Sequence, residues 1–155
     1  MNKEGEGMSE LRTVEERKRD VLAALERQGH MWLTTARGGR PQVIGVSAWW
    51  DGTDLVVATI GTSRTAQNLR DSQIASLVAG TPDDAVVIEA GLVESTPAKD
   101  ADKVARGFSG VMGWDPRKVG EGWHFFRLRP SRVQAFRGYD EIKGREVMKD
   151  GDWLA

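Results

Sequence analysis

The chain has 155 residues, enough for one domain with a real core, and its 22 Lys and Arg nearly balance 23 Asp and Glu. That balance leaves no basic excess for a general nucleic-acid or membrane-surface binder, and the absence of cysteine excludes disulfides, thiolate metal sites and thiol catalysis. Two histidines, His30 and His124, are too few for a His-rich metal site, and no apolar run approaches the roughly 20 residues needed to span a bilayer. The opening "MNKEGEGMSELR" is polar and lacks the apolar core of a signal peptide, so a soluble, cytoplasmic protein is expected.

Residues 1–12 read as a disordered tail and 13–155 as a single domain. Thr13 and Glu16 form a capping box, so a helix should start there. Val14, Lys18, Val21, Leu22 and Leu25 mark one face of it, and Gly29 stops it. "HMWLTTA" is a strand, "RGGRP" a turn and "QVIGVSAWW" the next strand. "DGTD" is a tight hairpin signal leading into the strand "LVVATI". The polar run of residues 64–70 reads as a short helix. "IASLVAG" and "AVVIEAGLVES" are strands joined by the turn "TPDD". Thr96 should open a second helix with Pro97 at its first position and Ala98, Ala101, Val104 and Ala105 on its apolar face. "FSGVMGWDPRKVGEG" reads as a glycine-rich connection, long enough for a lid or edge loop. "WHFFRLRP" and "RVQAFRG" read as two closing strands, followed by a mixed tail with a turn at "DGDW". Many short strands with few helices indicate a mainly β fold, a small antiparallel barrel with peripheral helices.

The first chemical candidate is the loop between "LVVATI" and the short helix. Thr59, Thr62, Ser63, Arg64, Thr65 and Asn68 gather hydroxyls, an amide and one guanidinium where a helix opens. Phosphate needs such donors together with free backbone N–H groups at a helix start. The plainer alternative is an N-capped helix carrying a solvated arginine. The chain has no GxGxxG or Walker pattern, which excludes a Rossmann or P-loop nucleotide site.

"RGGRPQVIGVSAWWDGTDLVVATIGTSRTAQNLRDSQIASLVAG" resembles the pyridoxamine 5'-phosphate oxidase-like split-barrel superfamily. The resemblance rests on Gly39–Arg40–Pro41 entering strand two, Asp51–Gly52 entering strand three, Arg64–Thr65 in a Thr-rich segment, and Asn68–Leu69. It covers about residues 30–95 and continues more weakly through "WHFFRLRPSRVQAFRG". It implies a six- to seven-stranded antiparallel split β-barrel, dimeric, binding flavin mononucleotide (FMN) or coenzyme F(420) between subunits. It further implies that Ser63, Arg64, Thr65 and Asn68 hold the cofactor's phosphate. The tricyclic ring would lie on strand-two and strand-three backbone, at Val46, Ser47 and Ala48 with Thr59 and Ile60 opposite. Relatives that use the deazaflavin carry a lysine where Thr65 aligns, so Arg64 would take its part. The histidine-containing basic ending of the vitamin B6 oxidases is missing, with Trp123 and Arg127 a faint echo, so B6 oxidation is not expected.

The implied activity is an oxidoreductase, a flavoprotein or deazaflavin enzyme that passes hydride between FMN or F(420) and a small conjugated acceptor. It needs no catalytic side chain and no metal. The alternative is a split barrel that binds flavin or haem without turnover, and a third reading is a purely structural dimer. Trp49 and Trp50 should point to opposite faces of one strand. Trp114 reads as a movable lid or a surface anchor, and His124 as a hydrogen-bonded structural residue or a haem ligand. Asp83–Asp84 and Glu15–Glu16 suit a turn and a solvated helix face, with no acid/base role.

Overall fold

The computed structural model describes residues 11–27 and 29–155; most of the expected tail lies outside them. Eight strands form one antiparallel sheet in the order β3-β2-β1-β4-β5-β6-β7-β8. They are β1 His30–Arg37, β2 Arg40–Trp50, β3 Leu55–Ile60, β4 Ile74–Thr81, β5 Asp84–Pro97, β6 Trp123–Phe136, β7 Glu146–Lys149 and β8 Asp152–Trp153. An additional β3–β6 pairing closes the first six into a barrel, which leaves β7 and β8 as an extension. The architecture is the expected split barrel, with two more strands at its C-terminal edge.

Alternation along the strands fills the barrel. Leu33, Leu55, Leu77, Ile88, Phe126 and Leu128 are all fully buried in one core. Helix α1, Val14–Arg27, caps that core with Val21, Ala24 and Leu25. Its capping box forms: the Glu16 N–H donates to Thr13 Oγ1 at 3.1 Å, and the Thr13 N–H donates to the Glu16 carboxylate at 3.3 Å. Arg12, counted with the tail in the sequence, is buried, and its guanidinium pairs with Glu141 at 2.6 Å. The turns explain the register. Gly38 and Gly39 take φ of +57° and +74°, the two positive values a two-residue I′ hairpin needs. Between β2 and β3 the Asp51 carboxylate accepts the N–H groups of Thr53 and Asp54, at 2.9 and 2.7 Å.

The second half departs from expectation in three places. Thr96 and Pro97 do not open a helix; they end β5, paired with Phe125 and His124 of β6. A 3-10 turn, Ala98–Asp100, follows, and helix α3 spans Asp102–Met112. Sheet pairing outweighs the local preference of a Thr-Pro start. "FSGVM" belongs to α3, because Phe108 is a fully buried anchor; the glycine-rich connection begins only at Gly113, whose φ of +78° ends the helix. β6 is one long strand, since a register shift opposite Glu89 and Ala90 accommodates Pro130. The tail pairs as β7 and β8 and buries Val147 and Met148.

A second apolar cluster sits outside the barrel, where α3 covers β3 and β6. Val56, Ala58, Ala98, Ala105, Phe108 and Phe125 are its buried members, with Trp49, Trp114 and Trp123 packed against them. Among the described residues no helix is long and apolar enough to cross a membrane.

Candidate functional site

At the exit of β3 the chain turns at Gly61 and enters helix α2, Arg64–Ser72. Ser63 is the N-cap: its Oγ accepts the Ala66 N–H at 3.1 Å and lies 3.1 Å from Thr59 Oγ1. Arg64 and Thr65 begin the helix, so their N–H groups have no intrahelical partner. The Arg64 side chain is exposed, and no ion pair to it exists among the described residues. Thr62, Arg64 and two free amides therefore form a donor set at the start of the helix, a combination that suits an anion.

Thr65 and Asn68 do not join it. Both are buried, at 2% and 1% exposure, on the inner face of α2 with Ala66 and Leu69. Asn68 Nδ2 donates to Thr35 Oγ1 of β1 at 3.1 Å, while its Oδ1 is buried without a protein partner. The signal was in the sequence: Ala66 and Leu69 mark the inward stripe, and Thr65 and Asn68 share it.

The residues expected to support a ring divide between two faces. Val46 packs on the barrel core and Ala48 is fully buried in it, whereas Ser47 points outward. Ser47 Oγ accepts a hydrogen bond from Trp114 Nε1 at 3.1 Å. Trp114 is fixed by edge contacts with Phe108 and Trp123, ring centroids 5.4 and 5.3 Å away. Trp49 and Trp50 do split, Trp49 against α3 and Trp50 against the core. Thr59 and Ile60 are half-buried, opposite His124 and Trp123 of β6. Thr59, Ile60, Ser63 and Arg64 thus lie together, and β2 joins them through the Ala48–Val57 pairing.

The strongest electrostatics lie elsewhere. Burial pushes the Glu141 carboxyl up, but Arg12 and the Arg12 and Arg137 N–H groups together hold it down to about 2. Burial likewise pushes the Asp51 carboxyl up, but the Asp54 and Thr53 N–H groups and Arg127 outweigh it, so it ends below the usual carboxylate range. Asp54, buried, takes a two-point grip from Arg129 at 2.9 and 3.1 Å, tying the β2–β3 hairpin to β6. These pairs hold the barrel together, and none faces the Ser63 loop. Among the described residues there is no cluster of three or more His, Asp or Glu able to hold a metal.

No family model and no curated protein matches the chain. Solved structures do. An F(420) reductase superposes with a TM-score of 0.61 at 18% identity, covering 72% of this chain and 93% of its own. General stress protein 26 of Bacillus anthracis gives 0.61 at 15%, covering 77% and 92%. A pyridoxamine 5'-phosphate oxidase-related, FMN-binding protein of Nostoc punctiforme gives 0.54 at 15%, covering 80% of each. At these identities the likeness establishes the fold. The chain shares the split β-barrel fold of these structures, the fold its sequence resemblance implied.

Proposed function

We propose that the chain is a flavin- or deazaflavin-dependent oxidoreductase, holding the phosphate of FMN or F(420) at the start of α2. The observation that carries this is the exposed Arg64, without an ion pair among the described residues, beside two free helix N–H groups. The likeness to an F(420) reductase and to an FMN-binding protein on the same fold supports it. The residues fit the phosphate end through Arg64, Thr62 and main-chain donors. At the ring end, Val46 and Ala48 can offer only backbone, and Ser47 offers its outer side next to Trp114.

When bound, the reduced cofactor supplies a hydride for a small conjugated acceptor. The chain's part is to bind, orient and exclude water. Arg64 balances the phosphate charge, the Thr59–Ser63 hydroxyl pair stiffens the loop, and Trp114 walls the β2 surface. A homodimer belongs to this reading. Trp32, Val43 and Ile74 are 57%, 57% and 66% exposed on the outer face of β1, β2 and β4, an apolar surface that a second copy would cover.

The test is equilibrium binding of FMN and F(420). A charge-assisted contact is worth roughly 1.5–3 kcal/mol, so Arg64→Ala should weaken the bound cofactor about 10- to 150-fold with the fold intact. Unchanged affinity in that variant would sink the assignment.

One observation favours a second reading, a flavin- or haem-binding protein without turnover: Trp114 already caps Ser47 on the proposed ring surface. Reductase activity that emerges only in Trp114→Ala would support it; activity in the unaltered chain refutes it.

A further inference from the structure

His124 and the cavity beside it are used neither by the barrel core nor by the Ser63 loop. The residue is the second of β6, paired with Thr59 on one side and Pro97 on the other. Its ring lies directly on Gly61: a Cβ there would stand 2.6 Å from imidazole Cε1, so only glycine leaves room for the ring. The Gly122 carbonyl accepts the Gly61 N–H at 2.7 Å and lies 3.2 Å from His124 Nδ1. A carbonyl oxygen can only accept, so Nδ1 carries the proton, and in the neutral ring Nε2 is a bare acceptor. Nε2 has no partner among the described residues.

His124 lines a cavity of about 420 Å³, within the usual size range for small-molecule sites. Its lining is mostly apolar and includes the planar indole of Trp123, the rings of Pro97 and Pro116 and the glycines at 120 and 122. The charges around the ring do not make it an anion site. Arg117 is already matched by Asp115 at 2.8 Å and Asp102 at 2.9 Å, and the other two charges in the lining, Lys99 and Glu121, are of opposite sign. Arg70, behind Gly61, spends its guanidinium on the Gly61 carbonyl and the Phe126 ring. An apolar lining with an indole suits an aromatic ring, and an unpartnered acceptor on a lining residue suits a hydroxyl donor.

We propose that this cavity binds a small planar aromatic molecule bearing a hydroxyl, which donates its hydrogen bond to His124 Nε2. As the place of the reduced acceptor, a hydroquinone-type product, it rests on the oxidoreductase reading; the binding itself does not.

Calorimetric titration of the full chain with 2-naphthol and 2-methoxynaphthalene tests it, since the ether cannot donate. The naphthol should bind about tenfold tighter. His124→Phe, which keeps an aromatic wall, should erase that preference without loosening FMN or F(420). Gly61→Ala, which displaces the imidazole, should erase it too. In the unaltered chain, ¹⁵N NMR should show a protonated Nδ1 and an Nε2 signal that moves when naphthol is added. Equal binding of naphthol and ether, a preference that survives in His124→Phe, or haemin coordinated through Nε2 would each overturn the proposal. A naphthol preference with no cofactor binding would instead refute the oxidoreductase reading alone.

Discussion

Replacing Glu141 by Gln should remove one of the main fastenings of the fold, and with a recognisable pH signature. Glu141 is 3% exposed and accepts from the Arg12 guanidinium, the Arg12 N–H at 3.0 Å and the Arg137 N–H at 2.9 Å. These contacts outweigh burial and bring its carboxyl from 4.5 to about 2. At about 1.4 kcal/mol per unit, that displacement represents roughly 3 kcal/mol of linked stability. The folded pKa is the lower one, so the unfolded chain binds the extra proton. The stabilisation is therefore fully present above about pH 4.5 and is lost as pH falls through about 2. Urea unfolding followed by tryptophan fluorescence, at pH 7 and at pH 2.5, compares the two proteins. The variant should lie roughly 3 kcal/mol below the parent at pH 7, or further, because Arg12 loses its main partner. The gap should narrow strongly at pH 2.5. Carboxylates such as Asp51 and Asp115 titrate in both proteins and cancel in the difference. A gap of the same size at both pH values would refute the linkage argument.

Two further outcomes follow from packing. A Cβ at Gly107 would stand 2.7 Å from Trp49 Cζ2, backbone against a rigid indole. Gly107→Ala should therefore destabilise by about 1–3 kcal/mol despite the better helix propensity, read as a lower Tm; a higher Tm would show that α3 does not rest on Trp49. Trp32→Arg should turn a dimer into a monomer in analytical ultracentrifugation, and a parent that sediments as a monomer would remove the homodimer from the proposed function.

Where the sequence was legible, local chemistry and tertiary context agreed. Strands β1 to β5 follow from alternation bounded by Gly38–Gly39 and by the Asp51–Gly52 hairpin, whose dihedral demands leave few alternatives. Where they disagreed, context prevailed. Thr96–Pro97 carries the marks of a helix start, but its pairing with β6 is decided by residues nearly thirty positions away. The Trp114–Ser47 hydrogen bond joins positions 67 residues apart, and nothing near either residue announces it.

The Ser63 loop shows why a candidate site is harder to read than a strand. Its attraction in the sequence was a crowd of polar side chains, yet the phase of α2 turns Thr65 and Asn68 into the protein, and the Ser63 hydroxyl is engaged as the cap. What remains for an anion is the guanidinium of Arg64 and amides that every residue possesses. Main-chain donors leave no imprint on composition, so a rich hydroxyl content is weak evidence for the site. A single unpaired, solvent-facing cation at the first helical position is stronger evidence. The same reasoning makes Arg64 the decisive residue to replace, since changes at Thr65 or Asn68 would disturb the packing of α2 on β1 and report stability rather than binding.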